Sequence, residues 1–330
     1  MRTRARVVVG VVILLPVLLW LLGQRSAVAS VAHGLLLVPA MVAATVALAW
    51  GVRRRRRLAV LASLAVLSPA LALSGVRSLR EARPAAAPAA SGSLRLVSYN
   101  LLFSAKLEGS LALLRRTDAE LLCLQEVTPA SAKRLQTALG TTHPFSALEP
   151  RPGAYGVAIF SRLPLSRPSL VRDEHRVAGQ CAALSLEGGE TVICNVHLSS
   201  PAGIVARGGK WLSGFDANAR VRAAQWRRLR AHVARAYPSA RHLIVAGDFN
   251  TLDTEPLYRT VRASLVDAFE AAGSGYGATF PTEPTSPSPL VRIDYVFASP
   301  SLVPRAAEVL PQAGSDHRPL KVTLALPAGS

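Results

Sequence analysis

The sequence predicts an α/β sandwich preceded by three membrane helices, and three observations carry that reading. Long uncharged apolar stretches occupy only the first 76 residues. From Leu94 onward, short apolar runs alternate with helical segments and with at least one hairpin, which favours a sandwich over an all-parallel arrangement. No GxGxxG or Walker pattern follows a strand, so the nucleotide-binding α/β folds have no support.

The apolar stretches are 7–23 ("VVVGVVILLPVLLWLLG"), 26–52 and 58–76 ("LAVLASLAVLSPALALSGV"). Each has the length of ~17–25 residues that a helix needs to cross a hydrocarbon core of ~30 Å. No polar face interrupts them, as one would in a soluble helix, and a signal peptide would account for the first alone. Arg2, Arg4 and Arg6 precede the first stretch and Arg53–Arg57 separate the second from the third, against Arg25 alone in the first loop. The positive-inside rule then puts the N-terminus and the arginine block in the cytoplasm. Three crossings place everything after Val76 outside it, so the expected location is a multi-pass cell-membrane protein with an extracytoplasmic domain. Residues 77–93 ("RSLREARPAAAPAASGS") read as an Ala/Pro-rich linker, and 94–330 as the globular domain.

The net charge of +18 divides into +11 for residues 1–93 and +7 for 94–330. A moderately basic domain suits an anionic substrate or a membrane surface. The cysteines are Cys123, Cys181 and Cys194. With Gly188-Gly189 as the hairpin turn, Cys194 faces Ala183 and Cys181 lies one diagonal step away. Diagonal neighbours sit ~7–8 Å apart, too far for an easy bridge, so three buried thiols and no disulfide are expected.

In order along the domain, "LRLVSYNLL" is a strand, 107–117 a helix, "AELLCLQEV" a strand and 129–139 a helix. "YGVAIFSR" is a strand, and "QCAALSLEG" with "ETVICNVHL" a hairpin. Residues 217–236 form an Arg-rich amphipathic helix with Ala223, Trp226, Leu229 and Val233 on one side. "RHLIVAGDF", a short helix at 256–261, "RIDYVFAS" and "HRPLKVTLAL" close the domain. The Pro/Ser/Thr-rich 281–289 segment is a surface loop.

Polar groups sit at the ends of these apolar strands. Asn100 ends the first, Glu126 the second, His197 the hairpin, and Asp248 and Asn250 "LIVAGDFN"; Asp294 opens "DYVFAS", and Asp316-His317 precede the last strand. A single strand-end Asp or Asn is ordinarily a turn former, and a lone His a satisfied core or surface residue. Seven such groups, with Asp316-His317 taken as one, in a chain with 20 acidic residues are harder to assign to unrelated turns. Hard oxygen donors with amides suit Mg²⁺ or Mn²⁺ bridging to phosphate, whereas zinc wants more His or Cys. Two histidines near carboxylates suit general-base work or an oxyanion partner. With no GxSxG and no convincing Ser or Cys nucleophile, these groups point to metal-assisted attack of water on a phosphate ester.

"SYNLL", "LQEV", "GVAIFSRLPL", "NVHLSS", "GDFNT", "RIDYVF" and "SDHRPL" occur in that order across about 94–325. In this the chain resembles the endonuclease/exonuclease/phosphatase (DNase I-like) superfamily, as a membrane-anchored, bacterial-type member. The superfamily includes AP endonucleases, neutral sphingomyelinases and inositol polyphosphate 5-phosphatases. The resemblance implies a four-layer α/β/β/α sandwich with its site at one edge. It implies Glu126 as the principal metal carboxylate, Asn100 beside it and Asp316 assisting. His317 is then the base or phosphate-stabilising imidazole oriented by Asp294, with His197 and Asn250 on phosphoryl oxygens. Asp248 positions or deprotonates the water, and it and His317 remain rivals for the proton. Arg220 and Arg222 of the Arg-rich helix are candidate phosphate contacts, though a solvated face is the plainer reading.

"GDFNTLD" has Leu252 where the inositol phosphatases resembled here carry Arg, and "RIDY" looks closer to the phosphodiesterase and nuclease branches. The expected partner is a phosphate-ester substrate, nucleic acid or phospholipid, together with the bilayer. A short tether to the membrane favours a lipid headgroup, and no aromatic–basic insertion marks a nuclease groove. A catalytically silent binding module on this fold is the remaining class. It would lack a metal or histidine group, and none is missing.

Overall fold

The structure is a computed structural model that describes residues 92–103, 107–173, 176–200, 211–282 and 291–327. The three expected membrane helices and nearly all of the linker lie outside the described residues. Among the described residues, no helix is long and apolar enough to cross a membrane.

Among the described residues, twelve strands form two mixed six-stranded sheets. The strands are β1 (Gly92–Asn100), β2 (Leu121–Gln125), β3 (Phe145–Glu149), β4 (Val157–Ser161), β5 (Ser166–Arg172), β6 (Val177–Leu186), β7 (Gly189–His197), β8 (His242–Asp248), β9 (Val266–Asp267), β10 (Asp294–Ala298), β11 (Val303–Val309) and β12 (Leu320–Leu326). The first sheet runs β11-β12-β1-β2-β4-β3 and the second β5-β6-β7-β8-β10-β9. The helices are α1 (Leu107–Arg116), α2 (Pro129–Leu139), α3 (Trp211–Ala236), α4 (Pro256–Arg262) and α5 (Ala268–Ala272).

Strand side chains alternate between faces, and that alternation builds three separate cores. Leu94 and Leu96 of β1, Cys123 of β2, Ile193 of β7, Ile244 and Ala246 of β8 and Val296 of β10 meet between the sheets. The opposite face of the first sheet, Val97, Tyr99, Leu122 and Leu124, packs on Leu107, Leu114, Leu135 and Leu139 of α1 and α2. The outer face of the second sheet, with Val245, Tyr295 and Phe297, packs on Trp226, Leu229 and Val233 of α3 and Leu257 and Val261 of α4. Four layers result, α/β/β/α.

Two expectations need correction. The β6–β7 turn is Glu187-Gly188, because Leu186 pairs with Gly189. Moving the turn by one residue brings Cys181 directly opposite Cys194, and the two form a disulfide, leaving Cys123 as the free thiol. Arg222 is not offered to a substrate: it is 1% exposed and ion-paired to Glu255 at 2.6 Å.

Candidate active site

The inner-face rows end in polar residues at one edge of the sandwich. Leu94, Leu96, Ser98 and Asn100 form one row of β1; Ile193, Asn195 and His197 one of β7; Ile244, Ala246 and Asp248 one of β8; and Ala298, Val296 and Asp294 one of β10. The same period of two that buries aliphatic side chains therefore delivers Asn100, His197, Asp248 and Asp294 to the seam between the sheets. Sheet register brings them level. His197 pairs with Asp248 across the parallel β7–β8 ladder, and Asp294 pairs with Asp248 across β8–β10. Gly247, at φ +146°, is required in this register, since a Cβ there would meet the Val196 carbonyl oxygen at 2.0 Å.

Glu126 arrives by a different route. Parity would send it to the helix side with Leu122 and Leu124, but it sits at φ +59°, a left-handed conformation costly for a non-glycine residue. It lies in the seam nonetheless, because Asn100 Nδ2 donates to Glu126 Oε1 at 3.0 Å and to Asp248 Oδ2 at 3.1 Å. Asn250, also left-handed at φ +49°, turns back so that its N–H donates to Asp248 Oδ1 at 2.8 Å. One hydrogen of its amide goes to the Leu198 carbonyl at 3.1 Å, leaving the second for a ligand.

His317 Nδ1 donates to Asp294 Oδ2 at 2.9 Å, while its Nε2 lies 3.7 Å from Asp248 Oδ2. The Phe280 ring packs against it at 4.7 Å between centroids. Burial by itself would lower the His317 pKa, but the charges of Asp294, Asp248 and Asp316 and the Asp294 hydrogen bond outweigh it and raise the pKa to about 10. His197 is the reverse: burial, then the charges of Arg176 and His317, lower it to about 3. Its approaches of 3.8 Å to Glu126 and 3.6 Å to Asp248 are thus contacts of a neutral ring, not ion pairs. Glu126 is pushed up to about 7, chiefly by burial. Asp248 is raised by burial and by Asp294, against the pull of His317.

Asp248, Asp294 and His317 have ligand atoms within 4.8 Å of one another, a possible acidic/His metal site. A His317 ring carrying both protons has no lone pair to give, so that trio is better described as a proton-holding array. The donor set that fits a hard cation centres on Glu126, whose Oε2 is buried without a hydrogen-bond partner. Leaving such an oxygen uncompensated is costly, and a divalent ion would compensate it. Asn100 turns its amide nitrogen toward both carboxylates and its oxygen to the Leu102 N–H at 2.9 Å, so it acts as their brace. Asp316 is half-buried and stands outside the tight trio, and its charge acts on both Glu126 and His317.

Two supporting groups escaped the sequence reading. Gln125 Nε2 donates to Asn195 Oδ1 at 2.6 Å across the seam, and Asn195 Nδ2 donates to the Leu124 and Ala158 carbonyls at 2.8 and 3.0 Å, clamping the sheets just behind Glu126 and His197. On α3, Asn218, Arg222 and Gln225 fall at helical spacing. They hold Ser199 and Ser200, while Glu255 accepts from both Arg222 and the Leu252 N–H at 2.9 Å. This polar stripe fixes the turns that follow His197 and Asn250, and a polar stripe at i, i+4, i+7 inside an otherwise amphipathic helix was its available signal. Arg220 is exposed and faces away from that stripe.

The sequence pattern of a known family matches residues 97–317, two thirds of the chain. The chain belongs to the Endonuclease/Exonuclease/phosphatase family. Among solved structures, an endonuclease/exonuclease/phosphatase from Bacteroides vulgatus is similar at TM-score 0.58 and 15% identity, over 71% of this chain and 99% of that one. D. rerio TDP2 complexed with a single-strand DNA product is similar at TM-score 0.56 and 18% identity, over 71% and 99%. Truncated Caenorhabditis elegans TDP2 follows at TM-score 0.54 and 18% identity, over 71% and 98%. These likenesses show the fold. Among curated proteins, none matches the sequence at a significant level.

Proposed function

We propose that the chain is a divalent-metal-dependent phosphodiesterase, nuclease-like in its chemistry, held at the cell membrane with its catalytic domain on the extracytoplasmic side. One observation carries the catalytic reading. Glu126, with a bare buried oxygen, shares one seam with Asp248, His197 and a His317–Asp294 pair. Mg²⁺ or Mn²⁺ held by Glu126, with Asp316 and Asn100 nearby, would supply Lewis-acid neutralisation of the phosphoryl charge. Asp248, raised toward neutrality and bridged by Asn100 and Asn250, is suited to take the proton of the attacking water. In this reading His317 stays protonated on Asp294 and donates to a phosphoryl oxygen, which supports Asp248 over His317 as the base. The free amide hydrogen of Asn250 adds a further donor, and the neutral His197 ring lies beside Asp248 without adding charge.

The likeness to TDP2 with a DNA product supports nucleic acid as substrate. A second reading, a phospholipid phosphodiesterase of sphingomyelinase or phosphoinositide type, is favoured by the three apolar stretches and the short linker, which would hold the site at high effective lipid concentration. The buried Cys181–Cys194 disulfide suits an oxidising compartment and so supports the extracytoplasmic placement.

Incubating the full chain with plasmid DNA, a single-stranded oligonucleotide, sphingomyelin and phosphoinositides, each with Mg²⁺ or EDTA, tests the reading. Cleavage of DNA only with Mg²⁺ is expected. Turnover undiminished in EDTA would sink the metal mechanism, and lipid turnover alone would select the second reading. A reporter fused after Ser330 that is active only in the cytoplasm would overturn the topology.

A further inference from the structure

Beside the active site lies a cavity of about 410 Å³, and no step of the proposed chemistry uses it. It is bordered by Ser274, Tyr276 and Ala278 from the segment after α5, by β11, and by Arg318. The segment 278–280 forms the partition between the two sites. On one side Ala278 lines the cavity; on the other Phe280 packs against His317. The partition is fixed at its middle residue, because the Arg318 N–H donates to the Thr279 carbonyl at 2.8 Å and Thr279 Oγ1 accepts from the Asp294 N–H at 3.4 Å.

Arg318 is the residue that makes this cavity more than a dent. Its Nε is buried and has no hydrogen-bond partner, although a buried cationic donor left unpaired is costly. Glu308 also borders the cavity, and it stands opposite Lys321 in register on the neighbouring strand, on the same strand face. The donor left without a partner at this cavity is the Arg318 Nε–H. Across the opening, "GSGYG" (273–277) carries Tyr276 at 52% exposure. Gly277 has φ +71°, and a Cβ there would meet the Phe269 ring at 2.3 Å, so this loop shape depends on a glycine.

We propose that the Arg318 cavity is a subsite for a phosphate-type anion, taken either from the substrate next to the scissile diester or from free phosphate. A planar guanidinium matches phosphate oxygens through paired N–H donors, and Ser274 and Tyr276 add hydroxyls at the rim. The substrate form of the proposal rests on the phosphodiesterase reading above; the binding of the anion does not.

The test uses the full chain labelled with ¹⁵N-arginine, with the Arg318 Nε–H resonance assigned by its loss in Arg318→Gln. In EDTA, inorganic phosphate should move that resonance saturably, while chloride at equal ionic strength should not. Calorimetric phosphate affinity should fall about tenfold in Arg318→Gln and only partly in Arg318→Lys. An unmoved resonance, or equal phosphate affinity in wild type and Arg318→Gln, overturns the subsite. Kinetics then separate the sources. A KM for an oligonucleotide that rises about tenfold in Arg318→Gln at nearly constant kcat, with a smaller rise for bis(p-nitrophenyl) phosphate, assigns the substrate's second phosphate. A phosphate response with equal KM changes on both esters assigns free phosphate. If no ester is turned over while the Arg318 resonance still responds, the catalytic reading fails and the subsite stands.

Discussion

His197 and His317 are buried to the same degree in one seam, yet one is held neutral and the other charged. The pKa of His197 falls to about 3 and that of His317 rises to about 10. The difference lies in the partners. His317 donates to a carboxylate, Asp294, whereas His197 meets the Ala154 carbonyl and the repulsion of Arg176. Burial disfavours charge on either ring, and a single well-placed aspartate reverses the outcome. The two sides of the site thus differ in charge: a fixed cation on the first sheet and a neutral imidazole on the second.

Removing the two groups proposed to act on the water and the phosphoryl oxygen should break this arrangement most. Asp248→Asn and His317→Gln are each expected to lower kcat by about 10²–10⁴-fold with the fold retained by circular dichroism. Activity within threefold of wild type in Asp248→Asn would end its assignment as base. His197→Gln, which replaces a neutral ring, should cost distinctly less than His317→Gln; equal losses would erase the contrast.

Asp294→Asn sharpens the comparison by making His317 resemble His197. Without the carboxylate, burial dominates, so the His317 pKa should drop well below about 10 in an NMR titration. A loss of about 10–10²-fold in kcat should follow, as for other orienting partners, and the alkaline limb of the pH–rate profile should move to lower pH. The sign for stability is also defined. The native His317 pKa is raised, so its pairing contributes fully below the ordinary histidine value of about 6.5 and is lost as pH rises through about 10. A His317 titration that Asp294→Asn leaves in place would show that the pair does not set the charge.

Protons and metal should compete at Glu126. With the Glu126 pKa at about 7 in the metal-free site, the apparent affinity for Mg²⁺ should fall about tenfold per pH unit below neutrality for each proton displaced. An affinity flat from pH 5 to 8, measured by calorimetry, would contradict the assignment of Glu126 to the metal.

The smallest effect on catalysis belongs to the disulfide. Cys181 and Cys194 lie on the helix-side face of the second sheet, away from the seam. Replacing both by alanine should lower stability by about 2–4 kcal/mol in urea unfolding and change kcat by less than threefold. A large loss of activity without loss of stability would show that the bridge reaches the site.

Legibility in the sequence followed burial. The eight interior strands, β12, β1, β2 and β4 in one sheet and β6, β7, β8 and β10 in the other, are apolar enough to be read directly. The four that escaped, β3, β5, β9 and β11, are the four sheet edges. β5 and β11 each contain a proline, β3 has a single buried residue and β9 has two residues, all features by which edges avoid further pairing. The site residues were legible because each interrupts an apolar run. Their roles were less so: a one-residue error in the β6–β7 turn hid the disulfide, and the burial of Arg222 depends on Glu255, 33 positions further on. No local pattern announces such a partner.

The order of the strands carries one further consequence, for synthesis. The chain lays down β1–β4 in the first sheet, builds β5–β10 as the second, and only then returns with β11 and β12 to close the first sheet against β1. His317 sits in that last returning segment. A ribosome-bound chain can therefore present Glu126, His197 and Asp248 early but cannot assemble them with the imidazolium until β12 has emerged. Of the groups gathered in the seam, the imidazolium is the last that the order of the chain supplies.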